Sequence, residues 1–214
     1  MNFIKISFIL FFASQNILSQ NIEKLELDKN YFLLGSLSES HGRWKTNKSS
    51  DVVDQYYSNE GKLFNKIYCL FKNEYSKINL NKVDDLTFIL NSKELRQKMD
   101  SFYKWKLDEG VTNENDDVFY FGTLNTDLIK TKSQKISFLT GVIEREGKLQ
   151  KESITLDLLC SGEKYNTIIK ILKELNCEII SDVYYKDNIP NPHIITFIAS
   201  KDILTFLEIS SCNQ

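Results

Sequence analysis

"SQKISFLTGVIEREG", residues 133–147, is the stretch that decides the fold. Ile136, Leu139, Val142 and Ile143 recur at the spacing of one helical face; Ser133 is placed to cap the start and Gly147 to stop the helix. The segments downstream alternate in period. "KLQKESITLDLLC" sets Ile154, Leu156 and Leu158 on one face of a strand, with a short hairpin before it. "GEKYNTIIKILKELN" returns to a helical stripe of Ile168, Ile169, Leu172 and Leu175. "CEIISDVYYK", the turn-forming "DNIPNP" around Pro190 and Pro192, and "HIITFIA" read as two strands, and Ser200 caps a closing helix, "KDILTFLEI". From residue 133 the order is helix, strand, strand, helix, strand, strand, helix, an α+β half.

The first part of the chain repeats this pattern. "YFLLGSLSESHGRW" parallels "ISFLTGVIEREGKL" with Gly35 opposite Gly141, Phe88 falls opposite Phe197, and the cap Ser92 falls opposite Ser200, at offsets of 106, 109 and 108. Small insertions absorb the difference. "KTNKSSDVVDQYYSNE" is the irregular element, reading as a helix where the second half has strands. The expected organisation is a signal peptide over 1–19, a first half over 20–105, a linker with an edge strand ("VFYFGTL") over 106–132, and a second half over 133–214.

"LTGVIEREG", Leu139 to Gly147, resembles the LAGLIDADG motif of homing endonucleases position by position, and the αββαββα order that follows resembles that family's half-domain. The resemblance implies two pseudo-repeated halves, the first irregular, with the two motif helices packed side by side through Gly35 and Gly141. It also implies that Glu146, the acid before the final glycine, is a divalent-metal ligand at a phosphodiester, since hard carboxylate oxygen suits Mg²⁺. The first half departs from the motif. Gly35 and Gly42 are seven apart, Gly141 and Gly147 six, and His41 stands where an acid is expected. Glu39 is the carboxylate that reaches the position after a one-residue shift.

Twenty-seven Lys and Arg balance 29 Asp and Glu, which argues against strong binding of duplex DNA, where phosphate neutralisation favours a basic excess. "MNFIKISFILFFASQNILSQ" carries one lysine, an apolar run too short to span a bilayer, and Ser19 before a cut. It reads as an export signal, leaving no transmembrane span in a mature periplasmic or extracellular chain. Cys69, Cys160, Cys177 and Cys212, spaced by 91, 17 and 35, match no zinc pattern, and Cys69 reads as a buried small hydrophobe. "HGRWKTNK" gathers His41, Arg43, Trp44 and Lys45 into a candidate binding patch in which a tryptophan flanked by cations can stack on a ligand. Together these features favour an exported, non-enzymatic binding or interaction protein without cofactor, holding an extended ligand or protein partner in the sheet groove. The alternative is a Mg²⁺-dependent DNA endonuclease carried by Glu146 and Glu39.

Overall fold

The structure, a computed structural model, describes residues 25–38, 43–48, 50–75, 77–112, 117–159, 162–186 and 191–209. The expected leader, Glu39, His41, Gly42, Cys160, Pro190 and Cys212 lie outside these residues. In the first half α1 (Lys29–Ser36), β1 (Arg43–Thr46), β2 (Val52–Tyr57), α2 (Gly61–Phe71), β3 (Asn79–Lys82), β4 (Thr87–Asn91) and α3 (Lys93–Asp100) follow one another in the order αββαββα. A hairpin of β5 (Tyr103–Thr112) and β6 (Val118–Leu124) joins it to the second half. There α4 (Lys132–Glu146), β7 (Gly147–Gln150), β8 (Ser153–Leu159), α5 (Gly162–Glu174), β9 (Ile179–Tyr184), β10 (Pro192–Ile198) and α6 (Lys201–Ile209) repeat the order.

The sheets show where the halves agree and where they part. The second half forms one antiparallel sheet in the order β7-β8-β10-β9. The first half has β2-β4-β3, the same order without its first strand. β1 leaves that sheet and pairs antiparallel with β6, giving β1-β6-β5, with Trp44 opposite Phe121 and their rings edge to face at 5.2 Å. Arg96 bridges the gap that β1 leaves: its two terminal nitrogens donate to Val52 O at 2.8 Å and Trp44 O at 2.9 Å, so β1 stays tied to β2 without a ladder. The aromatic strand expected at an edge is therefore the partner that draws β1 away.

Three local expectations are corrected. The segment read as a helix before Glu60 contains β2, whose Val52, Val53, Tyr56 and Tyr57 suit a pleated, half-buried surface better than a helix. Helix α4 is capped by Thr131 and not by Ser133: Thr131 Oγ1 accepts from Gln134 N–H at 3.2 Å while Gln134 Oε1 accepts from Thr131 N–H at 3.1 Å. Cys69 is exposed, because the buried stripe of α2 runs through Leu63, Phe64, Ile67 and Phe71.

Helices α1 and α4 form the centre, and Phe32, Leu33, Leu34, Phe138, Leu139 and Val142 around their crossing are fully buried. Gly35 and Gly141 lie at the contact. A Cβ on Gly35 would sit 1.9 Å from Phe138 O, and one on Gly141 2.0 Å from Phe32 O. Neither obstacle is a side chain that can rotate away, so the helices must separate to admit even a methyl group. Gly35→Ala and Gly141→Ala should each lower unfolding free energy by about 2 kcal/mol or more. Gly61→Ala, at a helical position where a Cβ meets nothing within 4 Å, should instead raise the urea midpoint slightly.

Candidate functional site

The crossing brings the C-terminal ends of α1 and α4 together, and their charged residues divide into engaged and free groups. Glu144 accepts from Lys66 of α2 at 2.6 Å, an ion pair between the halves. Arg145 is the most heavily used side chain of the region. Its guanidinium donates to Ser36 O at 2.7 Å, Gln55 O at 2.8 Å and the Asp54 carboxylate, and its Nε lies 2.9 Å from Glu60 Oε1. The side chain is 4% exposed and lies over the buried Tyr56 ring at 5.0 Å. Burial pulls the guanidinium pKa down, but the charges of Asp54 and Glu60 outweigh that and hold it above the ordinary arginine value.

Helix α1 ends early. It stops at Ser36, one residue past Gly35, whereas α4 continues five residues past Gly141 to Glu146. The last carbonyls of α1 are capped from the other half: Arg145 takes Ser36 O, and the buried Lys164 of α5 donates to Leu37 O at 2.8 Å. Cations at this end also complement the helix dipole. The chain then leaves the helix axis at Leu37, and Glu39 and His41 follow outside the described residues.

Glu146 is different from its two neighbours. It is half-buried at the last position of α4, and its carboxylate has no hydrogen-bond or ion-pair partner among the described residues. Gly147 next to it donates its N–H to Ile143 O and turns directly into β7, a turn in which a Cβ would fall 2.5 Å from that carbonyl. Among the described residues no three His, Cys, Asp or Glu side chains are grouped to enclose a metal. A lone, unpaired carboxylate nevertheless fits Mg²⁺, which keeps several waters and is commonly held by one or two carboxylates together with substrate phosphates.

Cross-strand register separates the two faces of each sheet. In the second half Ile154, Leu156, Leu158, Ile195 and Phe197 face the helices. The opposite face carries Lys148, Gln150, Ser153, Thr155, Ser181 and Thr196, with Asp157 as its acid. In the first half Asp54, Tyr56, Phe88 and Leu90 face inward, and Gln55, Tyr57, Asn79, Asn81, Thr87 and Asn91 face out. These open faces are rich in amides and hydroxyls and nearly free of carboxylates.

The candidate patch divides in the same way. Arg43 is buried, 3.0 Å from Asp100 Oδ1 and donating to Val53 O, so it ties β1 to α3 and β2. Trp44 is 38% exposed on one face of β1, and Lys45 points to the other face, over the Trp105 ring at 4.1 Å. Trp105 packs on the end of α3, its indole N–H donating to Asp100 O at 2.9 Å. Sequence reasoning missed Arg145 and Lys164. The signal for Arg145 was present: a long cation stands where the motif it resembles has a small residue.

No protein-family model matches the chain, and no curated protein matches it. Solved structures do match. A variant of the homing endonuclease I-DmoI, in complex with its target DNA in the presence of manganese, has a TM-score of 0.51 at 14% identity, over 84% of this chain and 91% of that one. Mesophilic variants of I-DmoI give a TM-score of 0.50 at 14% identity, over 87% and 96%. A further I-DmoI complex, its DNA nicked in the coding strand, gives 0.50 at 15% identity, also over 87% and 96%. The chain has the LAGLIDADG-like fold, as its motif and element order imply.

The same finding overturns the expected function. The three structures just described are of a homing endonuclease, two of them in complex with DNA, which backs the nuclease alternative over a non-enzymatic exported binding protein with an extended ligand or protein partner. A near-neutral total does not describe any one face. The carboxylates of Asp54, Glu60, Asp100 and Glu144 are matched internally by Arg43, Lys66, Arg96 and Arg145, which leaves the overall balance unchanged, while the open sheet faces carry few acids of their own. Arg145→Ala should leave Asp54 buried without its partner and lower unfolding free energy by about 3–5 kcal/mol. Arg145→Lys, which keeps the charge but not the planar fork, should recover less than half of that loss in the same urea titration.

Proposed function

We propose that the protein recognises duplex DNA on the open faces of its two sheets and cleaves it as a divalent-metal-dependent endonuclease, with Glu146 at the reacting phosphate. The observation that carries this reading is the unpaired carboxylate of Glu146, at the end of the central helix pair, where the two residues before it, Glu144 and Arg145, are both engaged. Burying part of a carboxylate without a partner costs free energy, and a cation at that place offsets the cost. A Mg²⁺ held by the Glu146 carboxylate would supply Lewis-acid stabilisation of the phosphodiester and a more acidic attacking water.

The chain's own residues do the rest. Gly147 stops the helix so that the Glu146 carboxylate stands at its tip, and Arg145, locked by Asp54 and Glu60, holds the last turn of α4 in place against the first half. The amides of Gln55, Asn79, Asn81 and Asn91 suit the paired donor and acceptor edge of adenine, and the hydroxyls of Ser153, Thr155 and Thr196 can bond either kind of group. Thr155 and Thr196 already share a hydrogen bond at 3.1 Å. Glu39 is the acid proposed to join Glu146 from the first half. The similarity to DNA-bound I-DmoI supports the same reading.

Duplexes retained by the protein from a randomised pool should be cut when Mg²⁺ is added and stay intact in EDTA. Glu146→Gln should keep binding them while losing at least about a hundredfold in cleavage rate, the equivalent of a few kcal/mol of transition-state stabilisation. Retained duplexes that stay whole in Mg²⁺ would remove the nuclease part of the proposal.

A further inference from the structure

Where β1 leaves the first sheet, a cleft of about 440 Å³ opens between β1, α3 and the β5–β6 hairpin. Lys45, Lys48, Lys93 and Arg96 line it, with Trp105 and Tyr120 as a wall and Asp100 as its acid. That acid is already shared, because both Arg43 at 3.0 Å and Arg96 at 2.8 Å lie against the same Oδ1 of Asp100. Lys48 pairs with Asp117, whereas Lys93 is exposed and has no ion-pair partner among the described residues. Lys45 is held over the faces of Trp105 and Tyr120, at 4.1 and 5.8 Å from the ring centroids. Rings fix the ammonium in place without neutralising its charge. The cleft is therefore a cationic recess with fixed walls.

A second observation links the cleft to the open face. Lys93 also lines a neighbouring groove together with Asn79 and Asn91, two of the amides of the first sheet's outward face; Lys77 lies there too, and Asp51 and Glu94 balance the two lysines. Lys93 is thus common to the groove and the cleft, and the cationic excess lies on the cleft side, with Lys45.

We infer that this cleft binds backbone phosphates of duplex DNA flanking the segment read by the sheets. The inference rests on the DNA-recognition reading and adds to it a contact supplied by the detached β1 and the inserted hairpin. Lysine ammonium groups serve here as point charges for phosphate, setting register along the duplex without reading bases.

Each phosphate neutralised by a lysine contributes about 0.9 to the slope of log affinity against log salt. Lys45→Gln/Lys93→Gln should therefore lower that slope by about 1.8, a loss of roughly tenfold between 200 and 50 mM salt in the gain that low salt gives the wild type. Lys93→Gln alone, which breaks no hydrogen bond or ion pair among the described residues, should lower it by about 0.9. In a Trp44→Phe background Trp105 is the sole tryptophan, and its fluorescence should change on binding a duplex that extends past the selected core but not on binding the core alone. Tight wild-type binding with the same slope in both variants, or a Trp105 signal indifferent to duplex length, would overturn the inference and leave DNA recognition standing. Wild-type protein that retains no duplex from the pool would remove the recognition reading, and this inference with it.

Discussion

The two central helices cross backbone against backbone, with glycines at the point of contact, and the rest of the molecule inherits that distance. With a Cβ on Gly35 or Gly141 about 2 Å from a partner carbonyl oxygen, no neighbouring side chain can relax to make room. At this separation Arg145 reaches across to the last turn of α1 and to Asp54 of β2, and Lys164 reaches Leu37 O. Such buried ion pairs add little net stability, because desolvation offsets most of the attraction. Their effect is on register. A slip of one turn would strand Arg145, Asp54 and Glu144 as buried charges without partners, so a single pairing of the halves is allowed.

Much of this was legible in the sequence, because the second half obeys local rules. The helical spacing of Ile136 to Ile143, the strand alternation of Ile154 to Leu158 and the caps at Ser92 and Ser200 are set by neighbours along the chain, and each appears in the fold. The glycine crossing was legible through the repeat of Gly35 and Gly141. What stayed hidden depends on contacts distant in sequence. β1 abandons β2 for β6 because Phe121 lies in wait 77 residues beyond Trp44, and no local pattern in "RWKT" announces that choice. Arg145 went unnoticed because its partners Asp54 and Glu60 come from the other half.

Net charge is a poor guide to any one face of this molecule. A near-neutral total conceals a sorted surface: Asp54 and Asp100 pair internally with Arg145, Arg43 and Arg96, while Lys45 and Lys93 border a cleft. The sorting follows from the architecture: strands with one face on the helices leave the other face to short polar side chains, and the acids gather where arginines join the elements. Counterion release is a property of that local surface, and pI does not report it.

The detachment of β1 has a consequence for the order in which the chain acquires its structure. Residues of the second half find their partners within a few tens of positions, in hairpins and short crossovers. The first half is made first but cannot close on its own, since β1 waits for β6 and α1 waits for α4, 106 residues away at the glycine contact. During synthesis that interval lasts roughly 5–20 s, and Phe32, Leu33 and Leu34 have no helix to cover them while it lasts. The nascent chain thus presents an apolar segment until α4 has been made, and its dependence on chaperones should concentrate in that window.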